Sequence, residues 1–382
     1  MAVTRTLLLL FLLTCIPGGL LLAQKNDTIP IPHETFKEKW LWPHRLIARM
    51  ITKDRPPFQD TTYYIAYKKR LVVTLPVSTR TLTFSIDDKV SGKTLYYVPN
   101  TTYDLGLSIN SRWASFLVNT GVSFPSTKSK EKGKTSFKDY QFNIYGKRFM
   151  TDANLQLYHG FYLRNAKELL PDNVSMEGEF EKRPDIYSTA LGVSTSYILN
   201  YKRFSYRGSF AFTERQLKSA GSLLFGGYFS FLYTEADSSL VSDNYQALFD
   251  TSSYIRSAYS QKIGLNIGYA YTFVIKRSFY VTVSLINGFG LDHLTTTTEN
   301  GMAYDYKYSF SSKASLRLAT GYDNGRIFCG LMGIYDNFGF SGYSKLNFDY
   351  GYGKFRVFVG YRLNMIKQER WLLRKLNLID WR

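Results

Sequence analysis

The feature that most limits what this chain can become is an alternation of apolar and polar residues with period two, sustained from about residue 70 to 363. In Tyr103–Ile109 the odd positions Tyr103, Leu105, Leu107 and Ile109 are apolar, whereas Asp104, Gly106 and Ser108 are not. Ile263–Phe273 sets six apolar residues against Gly264, Asn266, Gly268, Ala270 and Thr272. Successive side chains of a strand point to opposite faces, so this pattern predicts strands with one apolar and one polar face. The segments 113–122, 153–163, 187–199, 204–212, 279–291, 314–322, 344–352 and 355–363 read in the same way. Many approach the ~9–11 residues of a tilted membrane-spanning strand and exceed the ~5–6 of an average strand. After Gln24 no stretch reaches the ~20 apolar residues of a membrane helix. A membrane-spanning form of this chain must therefore be a closed barrel.

The connections support that architecture. Short turns are expected at Asn110-Ser111-Arg112, Asn200–Arg203, Ile275-Lys276-Arg277, Asp323-Asn324-Gly325 and Tyr352-Gly353-Lys354. Long polar loops are expected at 125–138, 164–186, 236–258 and 292–305. Short turns at one rim and long loops at the other are the pattern of outer-membrane barrels. Tyr271, Phe273 and Phe279 flank one turn, Tyr350, Tyr352 and Phe355 another, and Tyr197, Phe204 and Tyr206 a third, as a headgroup-level girdle requires. A soluble β-sandwich with aromatic core edges is the competing form, and it does not need strands this long. The expected fold is all-β: an antiparallel transmembrane β-barrel of twelve to fourteen strands over residues 61–363. The number is even because both ends share one side, and 66–79 and 80–88 are the weakest strands.

Composition narrows the class. The 382 residues include 31 Tyr, 28 Phe and 5 Trp, too many aromatics for a disordered chain. Residues 1–23 read as a signal peptide: Arg5, then the run Leu7–Leu13, then Pro17-Gly18-Gly19, with Ala23 before the cut. Cys329 then stands alone in the mature chain, so no internal disulfide can form, which fits a bacterial envelope. The expected address is the outer membrane of a Gram-negative bacterium. The flank 24–60, with Phe36, Trp40, Trp42 and Ile47, and the tail 364–382, with Met365, Leu372 and Ile379, read as basic amphipathic segments. Each either lies on a membrane surface or packs against the periplasmic mouth.

Particular strings go further than periodicity. Tyr97-Val98-Pro99-Asn100 precedes the Leu105-Gly106-Leu107 strand, Arg215–Ser222 precedes Leu224-Phe225-Gly226-Gly227, and Gly360-Tyr361-Arg362 ends the alternating region. Together these resemble a family of Bacteroidota envelope proteins catalogued as domain of unknown function 4421, over about residues 60–363. The resemblance implies an outer-membrane β-barrel and carries no activity, substrate or functional residue.

Chemical signatures are sparse. The four histidines, His33, His44, His159 and His293, have no metal-ligand spacing, and one cysteine cannot build a thiolate site. His159, on an apolar face between Leu157 and Phe161, suits a rim position better than a catalytic pair. The spacing of Asp237, Asp243 and Asp250 matches no calcium loop, and Gly353-Lys354 and Gly288-Phe289-Gly290 have no following helix to cradle a phosphate. No catalytic residue, metal or cofactor is expected. The formal charge of +18 is scattered over strands and turns, and with export this removes nucleic acid from the partners. Outer-membrane lipid and envelope proteins remain.

The constellation to follow is basic. Arg207, Lys262, Lys313, Arg317, Arg356 and Arg362 alternate with apolar neighbours and should point into the lumen, with Asp104 and Asp349 as acidic counterparts. Either they line an anion-attracting pore or they pair with acids in a filled lumen. In a second expectation, the turn holding Arg215, Lys218, Ser219 and Gly221 folds against or into the barrel as a constriction, with Gly221 free to adopt positive φ. The role these features support is an outer-membrane barrel acting as a narrow channel or as a scaffold. An outer-membrane enzyme acting on lipid or envelope polymer is the alternative.

Overall fold

The computed structural model describes residues 59–67, 70–101, 103–110, 115–123, 129–169, 180–340 and 346–364. The expected signal peptide, most of the N-terminal flank and the tail beyond Asn364 lie outside them. Fifteen strands occur among the described residues. They are β1 (Tyr64–Ala66), β2 (Arg70–Asp88), β3 (Lys93–Val98), β4 (Asp104–Asn110), β5 (Ser115–Ser123), β6 (Ser136–Tyr145), β7 (Phe149–Leu163) and β8 (Glu181–Ile198). β9 (Glu214–Gln216), β10 (Ala220–Glu235), β11 (Ile255–Ile275), β12 (Phe279–Thr298), β13 (Ala303–Asp323), β14 (Ile327–Phe340) and β15 (Leu346–Asn364) complete the set. No helix among the described residues is long and apolar enough to cross a membrane.

Pairing of β15 with β2 closes the sheet into an all-antiparallel barrel. Closure gives most wall strands a partner on each side, as a bilayer demands, and the β5–β6 seam is joined only at Ser115–Asn143 and Phe116–Phe142. The circuit through β3 has ten strands, β2, β3, β7, β8 and β10 to β15; the circuit through β4, β5 and β6 in place of β3 has twelve. The wall branches because β3 pairs with the 84–88 end of β2 and β4 with its 72–78 end. Pro99 has no N–H with which to carry the ladder across. The Thr101 hydroxyl donates to the Arg80 carbonyl at 2.8 Å and covers part of the break.

The two faces are inverted relative to a soluble protein. Asn266 is 1% exposed, whereas its neighbours Leu265 and Ile267 are 63% and 53% exposed. Along β4 the polar alternate residues are buried and Leu105, Leu107 and Ile109 are exposed. An apolar belt outside and a polar interior are what lipid on one side and a packed lumen on the other require. Inside, large rings sit over residues without side chains: Tyr228 over Gly264 and Gly288, and Phe328 over Gly360.

Several local expectations are corrected. Residues 70–88 form one strand, as do 346–364; Gly353 is not a turn but a point where the Thr81 hydroxyl crowds the backbone. Tyr350 and Tyr352 are consequently buried in the lumen, outside any girdle. β6 occupies part of the expected 125–138 loop and the strand region beyond it, and β12 and β13 extend through most of 292–305. Residues 204–212 are not a strand: a short helix spans Tyr206–Phe210, with the Ser205 hydroxyl accepting the Gly208 N–H as its N-cap. Every residue from Phe204 to Glu214 is buried. Where both faces are covered, periodicity no longer separates strand from helix.

Candidate functional site in the barrel lumen

The lumen is filled from both ends. At the end of the short turns, the connection between β8 and β10 folds inward as a plug. Its Phe204, Tyr206, Phe210 and Phe212 pack against Val72, Ile198, Leu224, Tyr280, Phe328 and Phe358 of the wall. Backbone and side chain both hold it: β9 pairs with β1, Asn110 Nδ2 donates to Ala211 O at 3.1 Å, and Arg362 Nε donates to Phe212 O at 2.8 Å. At the other end the 236–254 connection lays Leu240, Val241, Tyr245 and Phe249 over Leu82, Phe84, Ile86 and Tyr97. The Tyr97 hydroxyl donates to Leu240 O, and the Arg183 guanidinium to Ser239 O and Leu240 O. Burial and the neighbouring Glu181 raise the Tyr245 phenol well above its ordinary value. The Asp243 carboxylate accepts from the Gln246 side chain and that of Asp250 from Ser252, so both serve their own loop.

Between these apolar caps lies a layer of buried charge. Arg80 reaches Asp104 at 3.0 Å and Asp139 at 3.3 Å. Tyr352 donates to Asp139 at 3.1 Å, Gln141 donates to the Tyr352 hydroxyl at 2.6 Å, and Lys354 donates to Gln141 at 2.9 Å. Arg317 pairs with Asp152 at 2.8 Å and donates to the Tyr145 hydroxyl, which donates in turn to Asp152 at 2.7 Å. At the plug end itself, Arg362 forms a fork on Asp323 at 2.7 and 2.6 Å, with the Tyr67 and Phe328 rings against its guanidinium. Desolvated ions are tolerable only in such company, since each unpaired one costs several kcal/mol (~3–5 when its partner is removed).

The six basic residues singled out in the sequence occupy two settings. Lys262, Lys313, Arg317, Arg356 and Arg362 stand on barrel strands β11, β13 and β15, and Lys262, Lys313, Arg317 and Arg362 are buried. Lys262 interacts with Asp292 and Asp349, Lys313 rests against the Tyr228 and Phe338 rings, and Arg356 lies among Tyr145, Tyr352 and Arg80. Arg207 is not on the wall; it belongs to the plug helix and pairs with the plug's own Glu214 at 2.7 Å. The missed members are Arg80, Asp139, Asp152, Glu214 and Asp323. Reading 70–88 as one strand and 136–145 as another would have placed Arg80 and Asp139 on inner faces.

The Arg215–Ser222 string is a latch between plug and wall. Arg215 donates to Arg277 O at 2.6 Å, Lys218 lies over the Tyr63 ring, and the Ser219 hydroxyl accepts the Val274 N–H at 2.9 Å. Gly221 is already in β10 and has no positive φ, contrary to the turn expected there. A side chain on it would meet Tyr269 and Tyr271 on the outer wall.

Cavities of about 10 Å³ remain beside the plug near Ser209 and Tyr280, and in mid-lumen near Asn154 and Tyr350, each the size of one water. A larger one of about 270 Å³ opens on the outer wall between Thr81, Leu318, Gly333 and Phe355. Among the described residues no group of three or more His, Cys, Asp or Glu could hold a metal ion. His159 is exposed on the outer face, and His293 pairs with Asp305 at 2.7 Å beside the Tyr308 ring.

Residues 59–363 match the family described as domain of unknown function, DUF4421. The chain belongs to that family. A comparison with curated proteins gave no match. Among solved structures, the outer membrane protease OmpT from Escherichia coli is 10% identical, with 78% of this chain and 98% of that chain covered and a TM-score of 0.37. The P. putida toluene transporter TodX is 9% identical over 78% and 90%, TM-score 0.24, and a Pseudomonas aeruginosa FadL homologue 6% identical over 76% and 90%, TM-score 0.25. Over its described residues this DUF4421 member is a closed antiparallel β-barrel.

Proposed function

We propose that the protein serves the outer membrane as a sealed barrel, a structural or scaffold component whose interior is occupied by its own chain. The observation that carries this reading is the plug, Phe204–Gln216, held to the wall by Arg362, Asn110 and β1. With the ion-paired layer above it, the basic residues of the lumen act as internal fastening and not as an anion path. A leader ending at Ala23 exports the chain, and membrane lipid and envelope proteins are its partners.

Planar-bilayer recording tests the proposal. The protein as it exists should give no stepwise open-channel conductance, whereas replacing both 204–213 and 236–254 by Gly-Ser segments should produce one. Steady, resolvable conductance steps from the unaltered protein would refute the sealed barrel and leave the narrow channel.

A further inference from the structure

The end of the barrel that carries the short turns is basic all round. Arg148 stands in the β6–β7 turn, Lys202 and Arg203 at the start of the plug, Lys276 and Arg277 in the β11–β12 turn, and Arg326 in the β13–β14 turn. All six are exposed. Arg148 also lies over the Tyr201 ring, and around Lys202, Arg203, Lys276, Arg277 and Arg326 the described acidic residues are few. Among the described residues of this end, Asp323 and Glu214 are buried and used by Arg362 and Arg207, and Asp60 lies beside Arg203 at 3.9 Å. The opposite rim mixes both signs, with Lys130, Glu131, Lys132 and Lys182 near Glu235, Asp237 and Asp243 in its connections.

Two further observations bear on what the basic end is for. In the three-residue turn 276–278, Lys276 and Arg277 hold φ of 49° and 59°, a left-handed pair that Asn and Gly adopt with less strain. At the β13–β14 turn the left-handed position is held by a glycine, Gly325 at φ 92°. The chain therefore carries cations at 276–277 against the local conformational preference. Each cationic turn also adjoins exposed apolar residues of the outer wall: Phe149 follows Arg148, Ile275 precedes Lys276, and Ile327 follows Arg326. At ~3.4 Å per residue, charges one or two positions beyond the belt lie at headgroup height.

We propose that this ring binds anionic phospholipid headgroups of the leaflet in which the turns end, which is the periplasmic leaflet by the pattern of such barrels. The charges are spread around the circumference, following a bilayer surface, where a protein partner would call for one patch. The inference rests on the barrel and not on whether its lumen is sealed.

The test uses the full protein in nanodiscs that mix phosphatidylethanolamine with phosphatidylglycerol, with heat-modifiable mobility confirming insertion of every variant. Native mass spectrometry reads which lipids stay bound. The comparison is Lys276→Asn with Arg277→Gly, substitutions that suit the left-handed turn, followed by addition of Arg326→Gln. Retained phosphatidylglycerol should fall relative to phosphatidylethanolamine by about fivefold for each charge removed, and high salt should weaken the preference. Inorganic phosphate at matched ionic strength should not compete. An unchanged lipid ratio in the variants would overturn the proposal. So would competition by inorganic phosphate, or a loss of sedimentation with peptidoglycan sacculi while lipid retention stays the same.

Discussion

The Arg362–Asp323 pair is the place where wall and plug can be separated by one substitution. Both side chains are almost wholly buried, two short hydrogen bonds join them, and the third guanidinium donor goes to Phe212 O of the plug. Arg362→Met keeps much of the apolar stem but leaves the Asp323 carboxylate desolvated without its cation. Removing one partner of such a pair costs ~3–5 kcal/mol, and the orphaned Phe212 carbonyl adds ~1–3 kcal/mol. Asp323→Asn should cost ~3–5 kcal/mol by leaving the guanidinium as the uncompensated charge.

In the double variant neither charge is present, so its loss should fall short of the sum of the single losses by at least ~2 kcal/mol. Urea unfolding of the bilayer-inserted protein, followed by the mobility shift on gels, measures all three. Trypsin supplies an independent readout, because Arg207 is buried within the plug and should become cleavable in Arg362→Met before the wall unfolds. Additive losses, with coupling below ~0.5 kcal/mol, would mean that the pair is not the fastening described here.

Other outcomes follow from the same geometry. Ile267→Arg places a cation on the apolar belt and should destabilise the inserted barrel by ~2–4 kcal/mol near the bilayer midplane. Asn266→Arg should also destabilise it, through overpacking, because Asn266 is enclosed and donates to Ser194 Oγ at 2.8 Å; equal urea midpoints for wild type and both variants would show that the facing is wrong. The Tyr245 phenol is held above its ordinary value of about 10, so the stability it gives the loop-end cap is intact below that pH and declines as pH rises past it. Proteolysis of 236–254 should accelerate in alkali for wild type and less so for Tyr245→Phe; identical pH profiles would remove Tyr245 from the account.

Period-two alternation made the wall legible because a lipid-facing strand must be apolar on one side and a lumen-facing one need not be. It located the inner faces on which Lys262, Lys313, Arg317 and Arg362 stand, since their polar character interrupts apolar neighbours. It failed at 204–212, where Phe204, Tyr206, Phe210 and Phe212 satisfy the pattern but Arg207, Gly208 and Ser209 are buried as well. A segment enclosed by the rest of the chain owes nothing to either solvent, and its local shape is set by Ser205 capping and by the space inside the wall. Gly353 misled for a related reason. Glycine permits both a turn and a close approach, and only the pairing of β15 with β2 over its whole length decides between them. The acid partners were hidden for a third reason: pairing Arg317 with Asp152 depends on which strands face each other across the lumen, and no single strand's pattern contains that.

The three strings on which the family resemblance rests stand where this barrel departs from a plain one. Tyr97-Val98-Pro99-Asn100 lies at the branch of the wall. Tyr97 holds the cap through Leu240, Pro99 breaks the ladder, and Asn100 donates to Thr135 Oγ1 and Gly133 O near the inserted β5–β6 hairpin. Arg215–Ser222 joins plug to wall through the Arg277 carbonyl and the Val274 amide. Gly360-Tyr361-Arg362 provides both the bare backbone on which the Phe328 ring rests and the guanidinium that holds Phe212 and Asp323. An ordinary barrel strand can exchange one apolar residue for another on its outer face at little cost, because lipid imposes only polarity. These positions cannot, because each makes a contact specific in direction and length. The contacts by which this chain fills its lumen are therefore the first to vary, at Tyr97, Arg215 and Arg362.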